Sequence, residues 1–330
     1  MNVGDANGPA PGQSLRSAAR GSVLNLLGMA VAAVATFTLA VTLTRVSTPA
    51  SAGVFFSATS LFLLATSLGR LGTNTGLVYF ISGARGRGEL GLARRHLRLA
   101  ATPVFIVAAL MSVTFFIGAD QLAEWLSAEQ PEAFAKNLQI MAVLVPVAAA
   151  AQLLSAASQG LGTMKMYSVL EQMLLPVAQL VLVGALLALG HPTVTAAGWT
   201  AAFVPVAALA WFWWQRLVGR VDDVGRGASP TRPVAGREFW KFTAPRALAG
   251  VSQIAMQRLD IILVGALASL SAAAVYAALT RFLVLGQMAG RAFSLSVQPL
   301  LAAALARRDL EDARSLYQSC TAWLVLGTWP

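Results

Sequence analysis

Residues 21–44 form one apolar run of about 24 residues, long enough to cross a bilayer, since ~20 helical residues rising ~1.5 Å each cover ~30 Å of hydrocarbon. Further runs follow near 52–80, 99–118, 137–161, 167–189, 196–214, 242–267 and 273–303. Hydrocarbon offers peptide groups no water to bond, so each run must satisfy its own backbone, as a helix does. The chain is therefore predicted to be an all-α polytopic membrane protein with eight complete spans. A ninth run begins near Ser319 and reaches Pro330 at about half the length of a span, so a partial ninth span in a C-terminally truncated chain is expected. Composition agrees: 57% of residues are hydrophobic and 12% charged, against roughly 45–50% apolar in soluble domains.

Residues 1–15 are rich in Gly, Pro and Ser without an apolar core and read as a disordered tail. The first apolar run is too long for a cleavable signal. The formal net charge is +10, which in a soluble protein would suggest nucleic acid. Here the basic residues instead mark loops. Arg16, Arg20, the 85–98 segment, Lys165, the 216–246 segment and Arg307, Arg308 and Arg314 fall on one side, Arg45 and Lys136 on the other. The positive-inside rule then places the N-terminus in the cytoplasm, and no nucleic-acid partner is implied. The single cysteine, Cys320, excludes a disulfide framework or a zinc cluster.

The loop 215–237, with Gly225, Gly227, Ser229, Pro230 and Pro233, has the composition of a cytoplasmic linker. It divides an N-lobe of six spans, 16–214, from an incomplete C-lobe, 238–330, holding spans seven, eight and part of nine. Asp120, Glu124, Glu129 and Glu132 surround Trp125 in an outer loop expected to carry a short interfacial helix. Trp211, Trp213 and Trp214 read as an interfacial belt without chemistry.

Four arginines fall inside predicted spans: Arg70, Arg258, Arg281 and Arg291. Each costs roughly 2.5–3.5 kcal/mol at the bilayer centre unless paired or hydrated. Thr280, Gln287, Arg291, Ser294 and Gln298 share one helix face at ~100° per residue. Thr59, Thr66, Arg70 and Thr73 repeat the first four of these positions at one constant offset, with a glycine before the arginine each time. Snorkelling to the headgroups would also accommodate Arg70 and Arg291, but a snorkelling arginine needs no polar row beside it, whereas the wall of a hydrated cavity does. In an antiparallel hairpin turning near Leu270, Asp260 and Arg281 lie at similar depth, which predicts a salt bridge acting as a structural clamp or as a coupling site. Arg258 lies ~200° around from Asp260 and needs another partner. Arg246, Gln253, Gln257 and Asp260 form a polar row on span seven. Glu171 and Gln172 lie near a span end, where a solvated carboxylate is expected, and His96 and His191 fall in loops. No nucleophile, metal-ligand cluster or phosphate-binding glycine loop is present in the pattern, so neither catalysis nor a cofactor is expected.

The segment Thr44-Arg45-Val46-Ser47-Thr48-Pro49-Ala50-Ser51-Ala52-Gly53-Val54-Phe55 resembles the first hairpin of the bacterial polysaccharide-exporter (Wzx-like) oligosaccharide flippases. Phe242, Pro245, Asp260, Gly265, the run Ala274-Val275-Tyr276-Ala277-Ala278 with Arg281, and Pro299 before a basic turn extend the resemblance to the second lobe. The resemblance implies a two-lobed helical bundle around a central cleft lined by spans one, two, seven and eight, in the superfamily that also holds multidrug antiporters. It implies a multi-pass protein of the cytoplasmic (inner) membrane that flips a lipid-linked (polyprenyl diphosphate) oligosaccharide by alternating access for surface polysaccharide biosynthesis.

On that expectation Arg70, Arg291 and Arg258 face the diphosphate, while Thr66, Thr73, Gln287 and Ser294 contact sugar. The partners are the lipid-linked oligosaccharide and the bilayer, with a polysaccharide polymerase and ligase and a proton or sodium ion as further candidates. A cation-coupled multidrug or metabolite antiporter would call for cavity carboxylates, which span one lacks. A membrane glycosyltransferase or acyltransferase would need an intramembrane acid/base set.

Overall fold

The computed structural model describes residues 11–87, 89, 91–126, 129–224, 236–282 and 310–328. Its helices are α1 (Pro11–Val46), α2 (Pro49–Gly69), α3 (Thr73–Gly86), α4 (Leu92–Ile117), α5 (Ala119–Leu126), α6 (Pro131–Gly160), a π-helix (Tyr167–Leu174) running into α7 (Leu175–Ala188), α8 (Thr195–Ala201), α9 (Phe203–Val224), α10 (Gly236–Leu267), α11 (Leu270–Phe282) and α12 (Leu310–Thr328). Seven of the described segments are long and apolar enough to span a membrane, and they coincide with predicted spans one to seven. The eighth predicted span lies mostly outside the described residues, and α12 begins at Leu310, ahead of the predicted ninth run.

Local signals set several ends. Thr48 caps α2 by accepting a bond from the Ser51 amide at 3.3 Å, and Pro49 fills the first turn, where a missing N–H costs nothing. Pro131 opens α6 in the same way. Two predicted boundaries move. α1 starts at Pro11, inside the expected tail, and α9 continues through Val224, inside the expected linker.

Met1–Tyr276 forms one compact unit and Ala277–Pro330 a second. In the first, α6 is the central post, packed by α2, α3, α4 and α9. Phe56, Phe62, Phe134, Leu138 and Met141 are fully buried there. Trp199 stands edge-on to Phe55, Phe62 and Phe203, with centroids 6.0–6.4 Å apart, closing the core between α2, α8 and α9. Asn137 joins α6 to α8: its amide nitrogen donates to the Thr193 carbonyl and its oxygen accepts from the Ala197 amide at 3.1 Å, supplying an N-terminal N–H of α8 with a partner. α2 is the most enclosed span, while α4 and α10 show most of their surface.

The single span expected over 52–80 is divided. After Gly69 the chain breaks at Leu71 (φ 51°) and Gly72 (φ 71°), both left-handed, and restarts as α3. A leucine in that region carries strain of about 1–2 kcal/mol, which the surrounding packing must offset. α10 supplies that packing. A Cβ on Gly72 would stand 2.5 Å from the Ala247 nitrogen and 2.7 Å from the Thr243 carbonyl. Gly76 lies against Thr243 and Phe239, Gly53 against the Leu270 carbonyl, and Gly265 against Ser57 Oγ. These small residues let α2 and α3 approach α10 and the first residue of α11, as in other membrane helix pairs. Where α3 meets α10, Tyr79 stacks on Phe242 at 4.3 Å, and Phe80 touches Phe239, Phe242 and His96. His96 is thus no loop residue; it is buried in α4, its Nδ1 bonded to the Leu92 carbonyl at 2.9 Å.

The expected interfacial helix is α5, with Trp125 76% exposed. Trp214 departs from the exposed belt, being buried at 3%.

Candidate functional site

Arg70 ends α2 at the break. Its amide donates to the Thr66 carbonyl at 3.1 Å, and its carbonyl accepts from both the amide (2.9 Å) and the hydroxyl (2.7 Å) of Thr73. The break therefore fixes where the side chain leaves the backbone. The guanidinium is half-buried, and the charges acting on it are those of Glu171 and Tyr167 on the π-helix. No hydrogen bond or ion pair within 4.0 Å joins Arg70 to Glu171.

The three threonines of the first polar row are enclosed. Thr59, Thr66 and Thr73 are buried, and each hydroxyl donates to a backbone carbonyl, of Phe55, Leu63 and Arg70 respectively. Hydroxyls of this kind satisfy themselves on their own helix and can sit in an apolar setting without an aqueous wall. In the second row Thr280 donates to the Ala277 carbonyl at 2.8 Å, while Gln287, Arg291, Ser294 and Gln298 lie outside the described residues.

Span seven keeps its polar row uncovered. On α10, Gln253 and Gln257 are exposed and Arg258 and Asp260 half-buried. Arg258 Nε is buried with no hydrogen-bond partner among the described residues, and the charge nearest in effect is that of Asp260. Arg246 is engaged at the far end of the row, donating to the Phe242 carbonyl at 2.7 Å and lying 3.6 Å over its ring. Asp260 holds a partner the spacing argument did not single out: its Oδ2 accepts from the Tyr276 hydroxyl at 2.9 Å, and its Oδ1 accepts from the Ile261 amide at 2.8 Å. Arg281 belongs to the second unit.

A second polar cluster emerges that sequence spacing does not reveal. Glu171, expected to be solvated at a span end, faces Ser155 of α6 and feels the charge of Arg70. Ser155 Oγ stands beside the carboxylate without closing a hydrogen bond, and Gln152 Oε1, one turn away on α6, is likewise buried and unbonded. Gln172 sits against α1, where a Cβ on Gly28 would meet its Oε1 at 2.5 Å. The only advance signal was the Glu-Gln pair itself inside an apolar run.

Arginines and carboxylates are thus retained within the described helices. Fold and site together define a multi-pass helical membrane protein with charge retained inside its spans. The chain belongs to the polysaccharide biosynthesis protein family, whose model matches residues 18–303, and its role lies in polysaccharide biosynthesis. Neither a curated protein nor a solved structure shows significant similarity to it.

Proposed function

We propose that the protein is a transporter rather than an enzyme, a flippase moving a lipid-linked (polyprenyl diphosphate) oligosaccharide across the cytoplasmic membrane by alternating access, with its N-terminus in the cytoplasm. The observation that carries this reading is the uncovered polar row of α10: Gln253 and Gln257 are exposed and would be costly against acyl chains but suit a hydrated passage, and on another side of the same helix Arg258 keeps a buried Nε with no hydrogen-bond partner among the described residues. Family membership supplies the polysaccharide context.

A diphosphate-sugar headgroup needs cationic groups while its polyprenyl tail stays in lipid. At ~4 Å and an effective dielectric of ~20, one Arg–phosphate contact offers roughly 4 kcal/mol before desolvation. Arg70, Arg291 and Arg258 fill this role, and Gln287 and Ser294 contact sugar. Thr66 and Thr73 reach substrate only after the packing around α2 opens, because both are buried here. The glycine seam of α2 and α3 on α10 is the contact that parts during the cycle. Asp260 pairs with Arg281 as a clamp or takes part in coupling to a proton or sodium ion, and a polysaccharide polymerase and ligase act next to the flippase.

Export of the glycan measured in cells carrying Arg70→Ala or Arg291→Ala should be strongly reduced, and undiminished export in both removes the site assignment. Sodium- or proton-driven efflux of organic cations by the purified protein would instead establish an antiporter.

A further inference from the structure

The span α4 carries arginines on the side it shows to lipid. Phe105, Ile106, Leu110, Val113, Phe116 and Ile117 are 41–75% exposed, whereas Ala93, Leu97, Ala100, Val104 and Ala108 are buried where α4 packs on α2, α3 and α6. At ~100° per residue the exposed apolar set fills one arc about 140° wide, opposite the buried set. Arg95 and Arg98, both exposed, fall inside that arc. Arg95 is about five turns from Val113, and Arg98 about five turns from Phe116, so each arginine stands in line with an exposed apolar side chain. His96, between them in sequence, is buried.

We propose that Arg95 and Arg98 form a binding site for the headgroup phosphate of an acidic membrane phospholipid, on the face of α4 opposite its packing against the bundle. The site is independent of the cargo the protein carries.

Depth suits a headgroup. The five turns from Arg98 to Phe116 rise ~27 Å, close to the ~30 Å of bilayer hydrocarbon. With Phe116 at one edge of the hydrocarbon, Arg98 reaches the phosphates at the other, and Arg95 lies ~5 Å further out. The stem of Arg98 covers the last apolar turn while its guanidinium bonds a phosphate. Residues three apart on a helix are neighbours, so both guanidiniums can engage one headgroup.

Charge suits an anion. α4 contains no Asp or Glu. Glu89, in the turn before it, is bonded to Arg87 at 3.0 Å. The Arg85 guanidinium lies against Gly162 in the turn after α6. Among the described residues neither Arg95 nor Arg98 makes an ion pair within 4.0 Å. Arg94 is exposed beside them. The positive charge on the arc is therefore met from outside the protein, and an arginine facing water alone would need no register with the lipid-facing side chains.

A zwitterionic headgroup carries its own ammonium beside the phosphate, so the arc favours a lipid of net negative charge. One arginine near an anionic membrane surface contributes about fivefold in affinity, and the pair roughly 25-fold.

The test is native mass spectrometry of the purified full chain in detergent, titrated with phosphatidylglycerol and, separately, with phosphatidylethanolamine of the same acyl chains. Wild type should bind phosphatidylglycerol more tightly. Arg95→Gln combined with Arg98→Gln should weaken phosphatidylglycerol roughly 25-fold and leave phosphatidylethanolamine unchanged. Arg85→Gln combined with Arg87→Gln removes the same charge from side chains engaged within the protein and should keep the preference.

Equal binding of the two lipids by wild type overturns the inference, as does wild-type behaviour in the Arg95, Arg98 variant. A loss just as large in the Arg85, Arg87 variant would make binding a response to net charge and also overturns it. Farnesyl diphosphate that displaces phosphatidylglycerol from wild type, and is itself weakened by the Arg95, Arg98 replacement, would turn the arc into a cargo site and refute the phospholipid assignment. Should the double variant fail to elute as a folded species, the single Arg95→Gln and Arg98→Gln variants should each weaken phosphatidylglycerol about fivefold, and no change in either refutes the site.

Discussion

Replacing Gly72 by alanine tests the loop that ends α2. Two costs arise together. Gly72 has φ 71°, where a Cβ costs about 1–2 kcal/mol. That Cβ would also stand 2.5 Å from the Ala247 nitrogen, 2.7 Å from the Thr243 carbonyl and 2.9 Å from the Ala247 Cα. All three are backbone atoms of α10, so no side chain can swing aside, and the overpacking adds about 1–3 kcal/mol. The sum is about 2–5 kcal/mol, enough to lower the midpoint of thermal unfolding by something on the order of 10 °C. The measurement is tryptophan fluorescence, or the fraction surviving size-exclusion after heating, on purified protein in detergent. Gly184→Ala is the control, since a Cβ there meets nothing within 4 Å and no left-handed backbone is involved. It should be neutral or stabilising by up to about 1 kcal/mol through helix propensity. If Gly72→Ala melts with the control, the loop does not pack on α10 as described and the strain argument fails.

The seam itself can be trapped. A Cβ on Gly265 lies 3.0 Å from Ser57 Oγ, so Ser57→Cys with Gly265→Cys in a Cys320→Ser background should form a disulfide on mild oxidation. After cleavage at a protease site inserted at Ser229, the two fragments should stay joined on a non-reducing gel; fragments that separate contradict the α2–α10 contact. Asn137→Ala removes the bonds to Thr193 and Ala197 that tie α6 to α8, leaving the amide of buried Ala197 short of a partner. The expected loss is about 1–3 kcal/mol of unfolding free energy, from the Ala197 amide, and an unchanged melting midpoint would deny Asn137 its joining role.

Sequence alone determines the spans because bilayer thickness and the need to satisfy peptide groups act on each segment separately. The ends of α6 and α10, at Gly160 and Leu267, follow from the length of apolar run, and the polar row of Gln253, Gln257 and Asp260 follows from helical period. The Asp260 to Arg281 pairing rests on equal depth in a hairpin; Arg281 lies in the second unit, and Arg291, of the second polar row, lies outside the described residues.

Tertiary packing decides the rest. Apolar residues on both sides of Gly69-Arg70-Leu71-Gly72 let the run read as one span; in the fold the α10 backbone lies against Gly72, and the Thr243 and Phe239 side chains lie against Gly76. Thr66 and Thr73 look like cleft hydroxyls by periodicity and turn out to be bonded to their own backbone, because a threonine hydroxyl can reach a preceding carbonyl on any helix. The effect of the Glu171 charge on Arg70 depends on where α2 and the π-helix lie relative to each other. Electrostatic attraction depends on distance in space, which periodicity along a single helix does not contain.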